Sequence, residues 1–233
     1  MKIALFGYGK MGKTIERLAL DRDHEIIAKI DKDHTEGDLE QADVAIDFSI
    51  PSEAFNNVNK CFSLNIPIVS GTTGWLDKFE EAITNCAKKN GAFIYASNYS
   101  LGVNLFFELN SQLAKMMARF KEYNIALEEV HHTQKLDAPS GTAISLAEGI
   151  IANSSKENWT LDVTKSDNEI PIVSKRIDKV PGTHTIVYDS IVDDIEIKHT
   201  AKNRDGFALG AIIAAEWLEH KKGVYTMKDV LGL

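Results

Sequence analysis

Residues 1–12, MKIALFGYGKMG, join a short apolar run to a GxGxxG string. The apolar run predicts a buried strand and helical spacing begins at Met11, so the glycines lie between a strand and a helix. There the first glycine permits a tight turn, the second lets backbone N–H groups approach a pyrophosphate, and the third allows close helix–strand packing. The helix N-terminus adds partial positive charge for the phosphates. The stretch predicts a dinucleotide loop with contacts at Gly7, Tyr8, Gly9, Lys10, Met11 and Gly12.

The rest of the first hundred residues alternates short apolar runs with helical spacing, a pattern typical of parallel sheets with crossover helices. Strands are predicted at residues 3–6, 25–30, 44–48, 66–70 and 92–96. Helices are predicted at residues 11–20, 52–64 and 76–89. The pattern predicts an α/β fold built on a Rossmann-type, doubly wound parallel sheet.

An acidic residue ends the second predicted strand. Asp31 stands 19 residues beyond Gly12, where a carboxylate can accept hydrogen bonds from an adenosine ribose. The neighbouring Lys32 could pair with a 2′-phosphate or stay solvated. We expect NADH or NADPH as cofactor, with NADH used at least as well as NADPH.

Two further loops follow predicted strands, at the edge where open α/β sheets bind ligands. They contain Gly71, Thr72 and Thr73 after the fourth strand, and Ala96, Ser97, Asn98 and Tyr99 after the fifth. Small hydroxyl residues beside glycine can present polar groups to a ribose or nicotinamide, although the same residues also form ordinary turns. We expect both loops to contact the cofactor.

The pattern changes after a predicted helix at residues 101–120. Residues 124–132 alternate, a helix follows Ser140, and two runs with period 2 predict antiparallel strands at 183–188 and 194–200. Residues 153–167 are polar and predict an exposed loop. These features predict a second, α+β domain.

An Ala/Gly-rich helix is predicted at residues 206–220, stopped by Gly223 and suited to close packing on the first sheet. We therefore expect a dinucleotide-binding domain of residues 1–100 plus 206–233. The substrate domain is expected to comprise residues 101–205.

The most unusual stretch is residues 128–143, EEVHHTQKLDAPSGTA. A histidine can pass a proton near neutrality, and Lys135 can neutralise a substrate carboxylate or donate a proton. Ser140, Gly141 and Thr142 open a helix whose free N–H groups form an anion site. The stretch favours an acidic substrate, although a strand end with surface histidines and a capped helix is the plainer interpretation. Adjacent strand side chains point oppositely, so His131 and His132 need not share a role.

Composition limits the partners. Lys and Arg number 26 against 34 Asp and Glu, giving a formal net charge of −8, and no long basic run occurs. Such a surface repels a phosphate backbone, so no nucleic-acid partner is expected. The apolar start passes directly into glycines and no apolar run reaches membrane-spanning length, so we expect a soluble, cytoplasmic protein without a membrane partner.

A metal site is not expected. His184 and His199 join the histidine pair in the second predicted domain, but no HxH, HxxxH or HExxH spacing occurs. Cys61 and Cys86 lack CxxC spacing and are expected to fill apolar space in a reducing compartment. The aromatic side chains expected in a core are Phe106, Phe107 and Phe120.

These motifs resemble those of the 4-hydroxy-tetrahydrodipicolinate reductase family, also called dihydrodipicolinate reductases. Residues 129–143 match the family signature E-x-H-H-x-x-K-x-D-A-P-S-G-T-A throughout. The GTTG loop, the DF-S/T strand end, the nucleotide loop leading into the hinge, and the G-x-Y-x-M ending are matched by residues 71–74, 47–49, 97–104 and 223–227. The resemblance spans nearly the whole chain.

The resemblance implies a role for each residue of the central signature. His131 is then the acid/base residue and Lys135 the proton donor, while His132, Gly141 and Thr142 hold the substrate carboxylates. It also implies reduction of a cyclic dicarboxylate by NADH or NADPH and a homotetramer assembled through the second domain. The chain departs from the family in being shorter than its longer members and in having Lys10 where many members have Arg.

Two alternatives stay open. One is an amino-acid dehydrogenase of similar two-domain build, such as an aspartate-type enzyme. The other is a non-catalytic dinucleotide-sensing module, which would not need His131 or Lys135. For the reductase, the nicotinamide and the anion site fall in different predicted domains, so we expect closure about hinges near residues 98–102 and 203–206.

Overall fold

The computed structural model describes residues 1–32, 34–164 and 166–233. The chain divides into two compact units. The first unit comprises Met1–Leu101 and Asp205–Leu233, and the second comprises Gly102–Arg204.

The described strands are β1 (Lys2–Phe6), β2 (Glu25–Asp31), β3 (His34–Gly37), β4 (Val44–Asp47), β5 (Ile68–Ser70), β6 (Ala92–Tyr95), β7 (Asn124–His131), β8 (Asn158–Leu161), β9 (Glu169–Arg176), β10 (Thr183–Asp189), β11 (Asp194–Thr200) and β12 (Gly223–Tyr225). The α-helices are α1 (Lys10–Leu20), α2 (Pro51–Ser63), α3 (Phe79–Lys88), α4 (Leu101–Met117), α5 (Gly141–Ile151), α6 (Asp205–Leu218) and α7 (Met227–Leu231). Short 3₁₀ turns occupy Leu39–Gln41 and Leu76–Lys78. Among the helices in the described ranges, none has both the length and the apolarity to cross a membrane.

The first unit is built on a seven-stranded sheet in the order β12-β6-β5-β4-β1-β2-β3. Neighbouring strands are parallel except for the antiparallel pair β2–β3. Helices cover both faces, because consecutive side chains of a strand point to opposite sides. In β1, Ile3 and Leu5 pack in the core that contains α1 and α6, while Ala4 and Phe6 pack in the core that contains α2 and α3. The predicted doubly wound sheet is confirmed.

Helix α6 approaches its sheet closely because its small residues allow it. A Cβ at Gly210 would lie 1.7 Å from the carbonyl oxygen of Tyr99, so only glycine fits there. Its buried residues are Ala208, Gly210, Ala211, Ile212, Ala214, Ala215 and Leu218.

The second unit is built on a five-stranded sheet in the order β11-β10-β7-β9-β8. Strand β10 pairs antiparallel with β7 and β11, whereas β7, β9 and β8 run parallel. Helices α4 and α5 pack on one face of this sheet, with Leu127 of β7 and Ile172 of β9 in their shared core.

Several local predictions are wrong. Gly223 begins β12 instead of stopping a helix; α6 already ends at Leu218. The predicted loop 153–167 contains β8, although Lys165 in that stretch lies outside the described residues. Phe120 was expected in a core but is 39% exposed. Helix α4 ends at Met117, so Phe120 lies beyond the helix and is not on its buried face.

Candidate functional site

The glycine loop follows β1 at the carboxyl edge of the first sheet. Gly7 has a positive φ of 83°, and a Cβ there would lie 2.2 Å from the carbonyl oxygen of Phe48. A Cβ at Gly12 would lie 2.3 Å from the carbonyl oxygen of Gly7. Both positions therefore require glycine for the turn and for the approach of α1.

Gly9 has a different role, because nothing lies within 4 Å of where its Cβ would be. It is the N-cap of α1 and supplies no side-chain hydrogen bond to the helix. The first N–H groups of α1 have no acceptor within the helix and lie at the positive end of the helix dipole. Such a cradle fits a pyrophosphate.

The neighbours of the glycines differ in exposure. Lys10 is exposed and Met11 is half-buried. The hydroxyl of Tyr8 is hydrogen-bonded to Glu16, and Lys29 lies 2.7 Å from the same carboxylate and 4.7 Å from the Tyr8 ring centre. The Tyr8 ring is therefore fixed against α1 and β2.

Asp31 ends β2 beside this loop. Its Oδ2 accepts a hydrogen bond from the Tyr8 N–H at 3.1 Å, and its Oδ1 accepts one from the Lys32 N–H at 2.8 Å. Each carboxylate oxygen keeps a further lone pair for a ribose hydroxyl. Asp31 and Lys32 line a cavity of about 560 Å³ together with Gly7, Gly9 and the loop after β4. That volume suits a small-molecule site.

Asp47, the last residue of β4, is fully buried and organises the two loops beside this cavity. Its Oδ1 accepts hydrogen bonds from Ser49 at 2.6 Å and Asn57 at 3.1 Å. Its Oδ2 accepts hydrogen bonds from Ser70 and Thr72, each at 2.8 Å. The carboxylate therefore ties the end of β4 to the end of β5.

The predicted cofactor loops contribute unequally. Thr72 is buried, and its hydroxyl is already bonded to Asp47 and to the Ser49 N–H, whereas Thr73 is exposed. Gly71 lies against the Phe48 ring, which a Cβ would approach to 2.3 Å.

In the loop after β6, Ser97 is exposed while Ala96 and Asn98 are half-buried. Tyr99 is only 1% exposed, and its hydroxyl donates to the carbonyl oxygens of Ser70 and Ile94. Its ring belongs to the core, so its backbone is what the loop can offer a ligand.

In the second unit, β7 alternates between buried and more open positions. Its buried face carries Ile125, Leu127, Glu129 and His131 in succession. The first two belong to the apolar core, and the next two continue the same face beyond it. A carboxylate and an imidazole are thereby placed side by side in the interior.

Glu129 is 0% exposed and is surrounded by donors. Its Oε1 accepts hydrogen bonds from the Ser140 N–H at 3.1 Å, the Ser174 hydroxyl at 2.8 Å and Arg176 Nη2 at 3.0 Å. Burial acts to raise the pKa of Glu129, but the close contact with His131 and the hydrogen bonds from Ser140, Ser174 and Arg176 outweigh it and hold that pKa well below its usual range. Glu129 is therefore a charged carboxylate in the interior.

Two histidines face the other oxygen of Glu129. His131 Nδ1 lies 3.1 Å and His184 Nε2 lies 3.8 Å from Oε2, which are ion-pair separations outside hydrogen-bond geometry. Burial and the nearby His131 lower the pKa of His184 to about 4, against the opposing effect of Glu129. His184 is therefore neutral at pH 7 and lies 3.2 Å from the Ser140 hydroxyl.

Lys135 lies on the loop after β7. Its ammonium donates to both carboxylate oxygens of Asp137, at 2.8 and 2.9 Å, and this lowers the pKa of Asp137. Arg176 Nη2 also donates to the carbonyl oxygen of Asp137 at 2.5 Å. The loop carrying Lys135 is thus bound to the guanidinium that contacts Glu129.

The N-terminus of α5 completes the arrangement. Ser140 is its N-cap, and its hydroxyl accepts a hydrogen bond from the Ala143 N–H. Gly141 is exposed, with nothing within 4 Å of its Cβ position, and Thr142 is half-buried. His132 is half-buried, and its Nδ1 is buried without a hydrogen-bond partner. The first N–H groups of α5 suit a carboxylate.

Glu129, His131 and His184 also place possible metal ligand atoms within 4.8 Å of one another. Sequence spacing did not reveal this trio because its members lie on two strands. The guanidinium of Arg176 already lies 3.0 Å from the Glu129 carboxylate and opposes a second positive charge there. The arrangement favours proton chemistry over metal binding.

Sequence reasoning assigned no role to Glu129, Ser174, Arg176 or Asp47. Alternation along β7 could have placed Glu129 on the same buried face as Leu127. Because a buried acid must be paired, a structural role for Glu129 could then have been inferred. No local pattern could have indicated Arg176, which is 47 residues from its partner.

Comparisons with known proteins cover both units. The model described as "Dihydrodipicolinate reductase, N-terminus" matches residues 1–99, and that described as "Dihydrodipicolinate reductase, C-terminus" matches residues 102–231. A 4-hydroxy-tetrahydrodipicolinate reductase from Christiangramia forsetii is 57% identical over 235 residues, covering 100% of this chain and 98% of that protein.

Two solved structures show a similar fold. A dipicolinate-bound dihydrodipicolinate reductase from Paenisporosarcina sp. TG-14 has a TM-score of 0.77 at 23% identity, covering 97% of each chain. A probable dehydrogenase from Thermotoga maritima has a TM-score of 0.58 at 10% identity, covering 99% of this chain and 92% of that one. At these identities the likeness concerns the fold alone.

Proposed function

The chain belongs to the dihydrodipicolinate reductase family, and from that membership we propose how its residues divide the work. The reaction is the NAD(P)H-dependent reduction of 4-hydroxy-tetrahydrodipicolinate to tetrahydrodipicolinate in lysine and diaminopimelate biosynthesis. The first unit binds the pyridine nucleotide, and the segment from Glu129 to Thr142 binds and protonates the substrate. The family resemblance carried by the sequence motifs is confirmed.

One observation carries the assignment of roles. A lysine, a histidine beside a buried carboxylate, and a helix N-terminus with accessible N–H groups all lie within residues 129–143. This combination supplies a cation, an acid/base group and an anion site, which is what protonating a dicarboxylate requires.

In the first unit, the nucleotide is held by the loop residues assigned from the sequence. The N–H groups after Gly9 bind the pyrophosphate, and Asp31 accepts hydrogen bonds from the adenosine ribose. When bound, the nicotinamide supplies the hydride. The loops after β5 and β6 orient it, and Asp47 holds the first of these loops through the hydroxyl of Thr72.

In the second unit, the substrate carboxylates are bound by Gly141, Thr142 and His132. The net reaction replaces the ring hydroxyl of the substrate with hydrogen, so that hydroxyl leaves as water. Hydride addition to the ring leaves electron density that must be protonated, and Lys135 donates that proton. Its ion pair with Asp137 holds the ammonium in position until the substrate carboxylate takes part of that interaction. His131 acts as the acid/base residue through its Nε2.

Cofactor choice depends on Asp31 and Lys32. Asp31 repels a 2′-phosphate and Lys32 attracts one, and both line the same cavity. We propose that NADH and NADPH are both used, with NADH at least as effective. The charges oppose each other at the surface, where each counts for little.

For assembly, we propose a homotetramer formed through the second unit, as the resemblance implies. The two helices of this unit pack on one face of its sheet, and along β11 every second residue is exposed. At the turn after β10, Ile191 and Val192 are also exposed. Sedimentation of the purified protein tests this proposal, and a monomer at micromolar concentration would contradict it.

The test of function is oxidation of NADH and NADPH on adding freshly generated 4-hydroxy-tetrahydrodipicolinate. Rapid oxidation that depends on the substrate is expected. An amino-acid dehydrogenase would be favoured if this substrate caused no oxidation of NADH while L-aspartate reduced NAD⁺. Nucleotide binding without turnover of either substrate would favour a sensing module.

A further inference from the structure

We propose that Glu129 is the positioning residue of the reductase site: its buried carboxylate fixes the imidazole of His131 with the ring proton on Nδ1. This inference rests on the proposed role of His131 as the acid/base residue. It adds a residue to which neither the motifs nor the comparisons assign a role.

The geometry around Glu129 separates its two oxygens. Oε1 receives three hydrogen bonds, from the Ser140 N–H, the Ser174 hydroxyl and Arg176. Oε2 receives none and faces His131 Nδ1 at 3.1 Å. A buried negative oxygen beside an unpartnered ring nitrogen favours the tautomer that carries a proton on that nitrogen.

The opposite ring nitrogen is then left to act. With the proton on Nδ1, Nε2 of neutral His131 has a lone pair. Gly182 lies beside it, where a Cβ would come within 3.0 Å of Nε2. The absence of a side chain at Gly182 leaves room beside Nε2 of the buried imidazole. The acid/base function of His131 therefore depends on Glu129 for the identity of its reactive nitrogen.

Glu129 also joins the other parts of the site. The Ser140 N–H that it accepts from belongs to the N-cap of α5, which carries the anion site. The Arg176 guanidinium that it binds donates to the backbone of Asp137, the partner of Lys135. One buried carboxylate thus connects the histidine, the helix terminus and the lysine loop. This explains why a fully buried acid is retained despite the cost of desolvating it.

The substitution Glu129→Gln makes a sharp test because the surroundings dictate how the amide must sit. The Ser140 N–H and the Arg176 guanidinium can only donate, so the amide oxygen must take the position of Oε1. The NH₂ group then occupies the position of Oε2 and donates to His131 Nδ1. Neutral His131 must move its proton to Nε2, so a change of one atom inverts the tautomer.

The experiment combines nitrogen NMR with kinetics. Protein labelled with ¹⁵N-histidine is examined at about pH 8.5, where an ordinary imidazole is neutral. The His131 signals are identified by their loss in His131→Asn. Wild type, Glu129→Gln and the control Glu128→Gln are compared for ring-nitrogen protonation, kcat, NADH affinity and thermal unfolding. Glu128 suits the control because it is the adjacent glutamate on β7, is 40% exposed and pairs with Lys175.

We expect the His131 proton on Nδ1 in wild type and in Glu128→Gln, and on Nε2 in Glu129→Gln. We also expect kcat to fall about 10²-fold or more in Glu129→Gln, within the range for loss of an acid/base group, with NADH affinity unchanged. A proton on Nε2 in wild type overturns the proposal even if the variant does not fold. An unchanged tautomer in folded Glu129→Gln, or kcat within about twofold of wild type, also overturns it. If wild type fails to oxidise NADH with the substrate, the proposed function fails, whereas the spectra still judge the role of Glu129.

Discussion

Asp31 and Lys32 place opposite charges at the rim of the nucleotide cavity. We predict that kcat/KM for NADPH does not exceed that for NADH in wild type. Lys32→Ala should lower kcat/KM for NADPH about threefold to fivefold, the value of an exposed charge pair, and leave that for NADH unchanged. Lys88→Ala, an exposed lysine on α3, is the matched control. A kcat/KM for NADPH more than about a hundredfold above that for NADH would contradict this assignment of Asp31 and Lys32.

His184 predicts a pH-dependent stability. Burial lowers its pKa to about 4, from an ordinary value of 6.5, so the unfolded chain binds its proton more readily between those values. Stability should rise with pH through this window, by about 3 kcal/mol at most, and level off above it. Carboxylates with lowered pKa, among them Glu129 and Asp137, lose their stabilising effect as the pH falls through their ordinary values of 4.5 and 3.8 and below, at the bottom of this window and beneath it.

Urea unfolding at a series of pH values measures this effect of His184. Wild type and His184→Gln should converge as the pH falls from 6.5 towards 4, because only wild type loses the contribution of a buried neutral imidazole. Equal slopes in the two proteins would mean that another group causes the pH dependence.

At the scale of elements, substitutions of Gly9, the N-cap of α1, and Gly210 in α6 should distinguish an effect on cofactor binding from an effect on stability. Gly210→Ala puts a Cβ against the backbone of Tyr99, so we expect a loss of stability of about 1–3 kcal/mol. Gly9→Ala meets nothing within 4 Å, so it should keep its stability. Its methyl group projects where the pyrophosphate must approach, so NADH affinity should fall at least about tenfold. Thermal unfolding and fluorescence titration measure the two effects, and the reverse pattern would refute the assignment of Gly9.

How far the elements could be predicted depends on their apolar content. The central strands β1, β4, β5 and β6 are nearly continuous apolar runs because both of their faces are buried, and their positions were predicted. Strand β3 was missed because all of its residues are exposed and no alternation marks it. Strand β12 has only three residues, and its first, Gly223, is of a residue type that commonly ends a helix. Its place beside β6 depends on pairing between distant residues, which local sequence does not encode.

At the scale of the whole molecule, the site was predictable where it is continuous in sequence. His131, Lys135 and the start of α5 lie within a single segment, so their residue types and spacing were visible. The supporting interactions are not continuous, since Glu129 meets partners on β9 and at the start of α5. Hydrogen bonds across such distances follow from the sheet order β10-β7-β9, which only the folded chain reveals.

The central claim is that the first unit binds the nucleotide while His131 and Lys135 in the second perform proton chemistry on the substrate. It predicts that changes at these two residues affect turnover and leave NADH binding intact. His131→Ala should lower kcat about 10²–10⁴-fold. Lys135→Ala should lower kcat and also raise KM for the substrate, because the proposed role of Lys135 is both to bind a substrate carboxylate and to donate the proton. Lys175→Ala, which removes another ion-paired lysine of the second unit, is the control and should behave as wild type.

The measurement that tests this claim most directly is a titration of NADH fluorescence run beside substrate-dependent NADH oxidation for wild type, His131→Ala, Lys135→Ala and Lys175→Ala. The account predicts NADH dissociation constants within about threefold of one another, together with loss of oxidation only in His131→Ala and Lys135→Ala. Wild-type turnover in either of those two variants, or loss of their affinity for NADH, would contradict it.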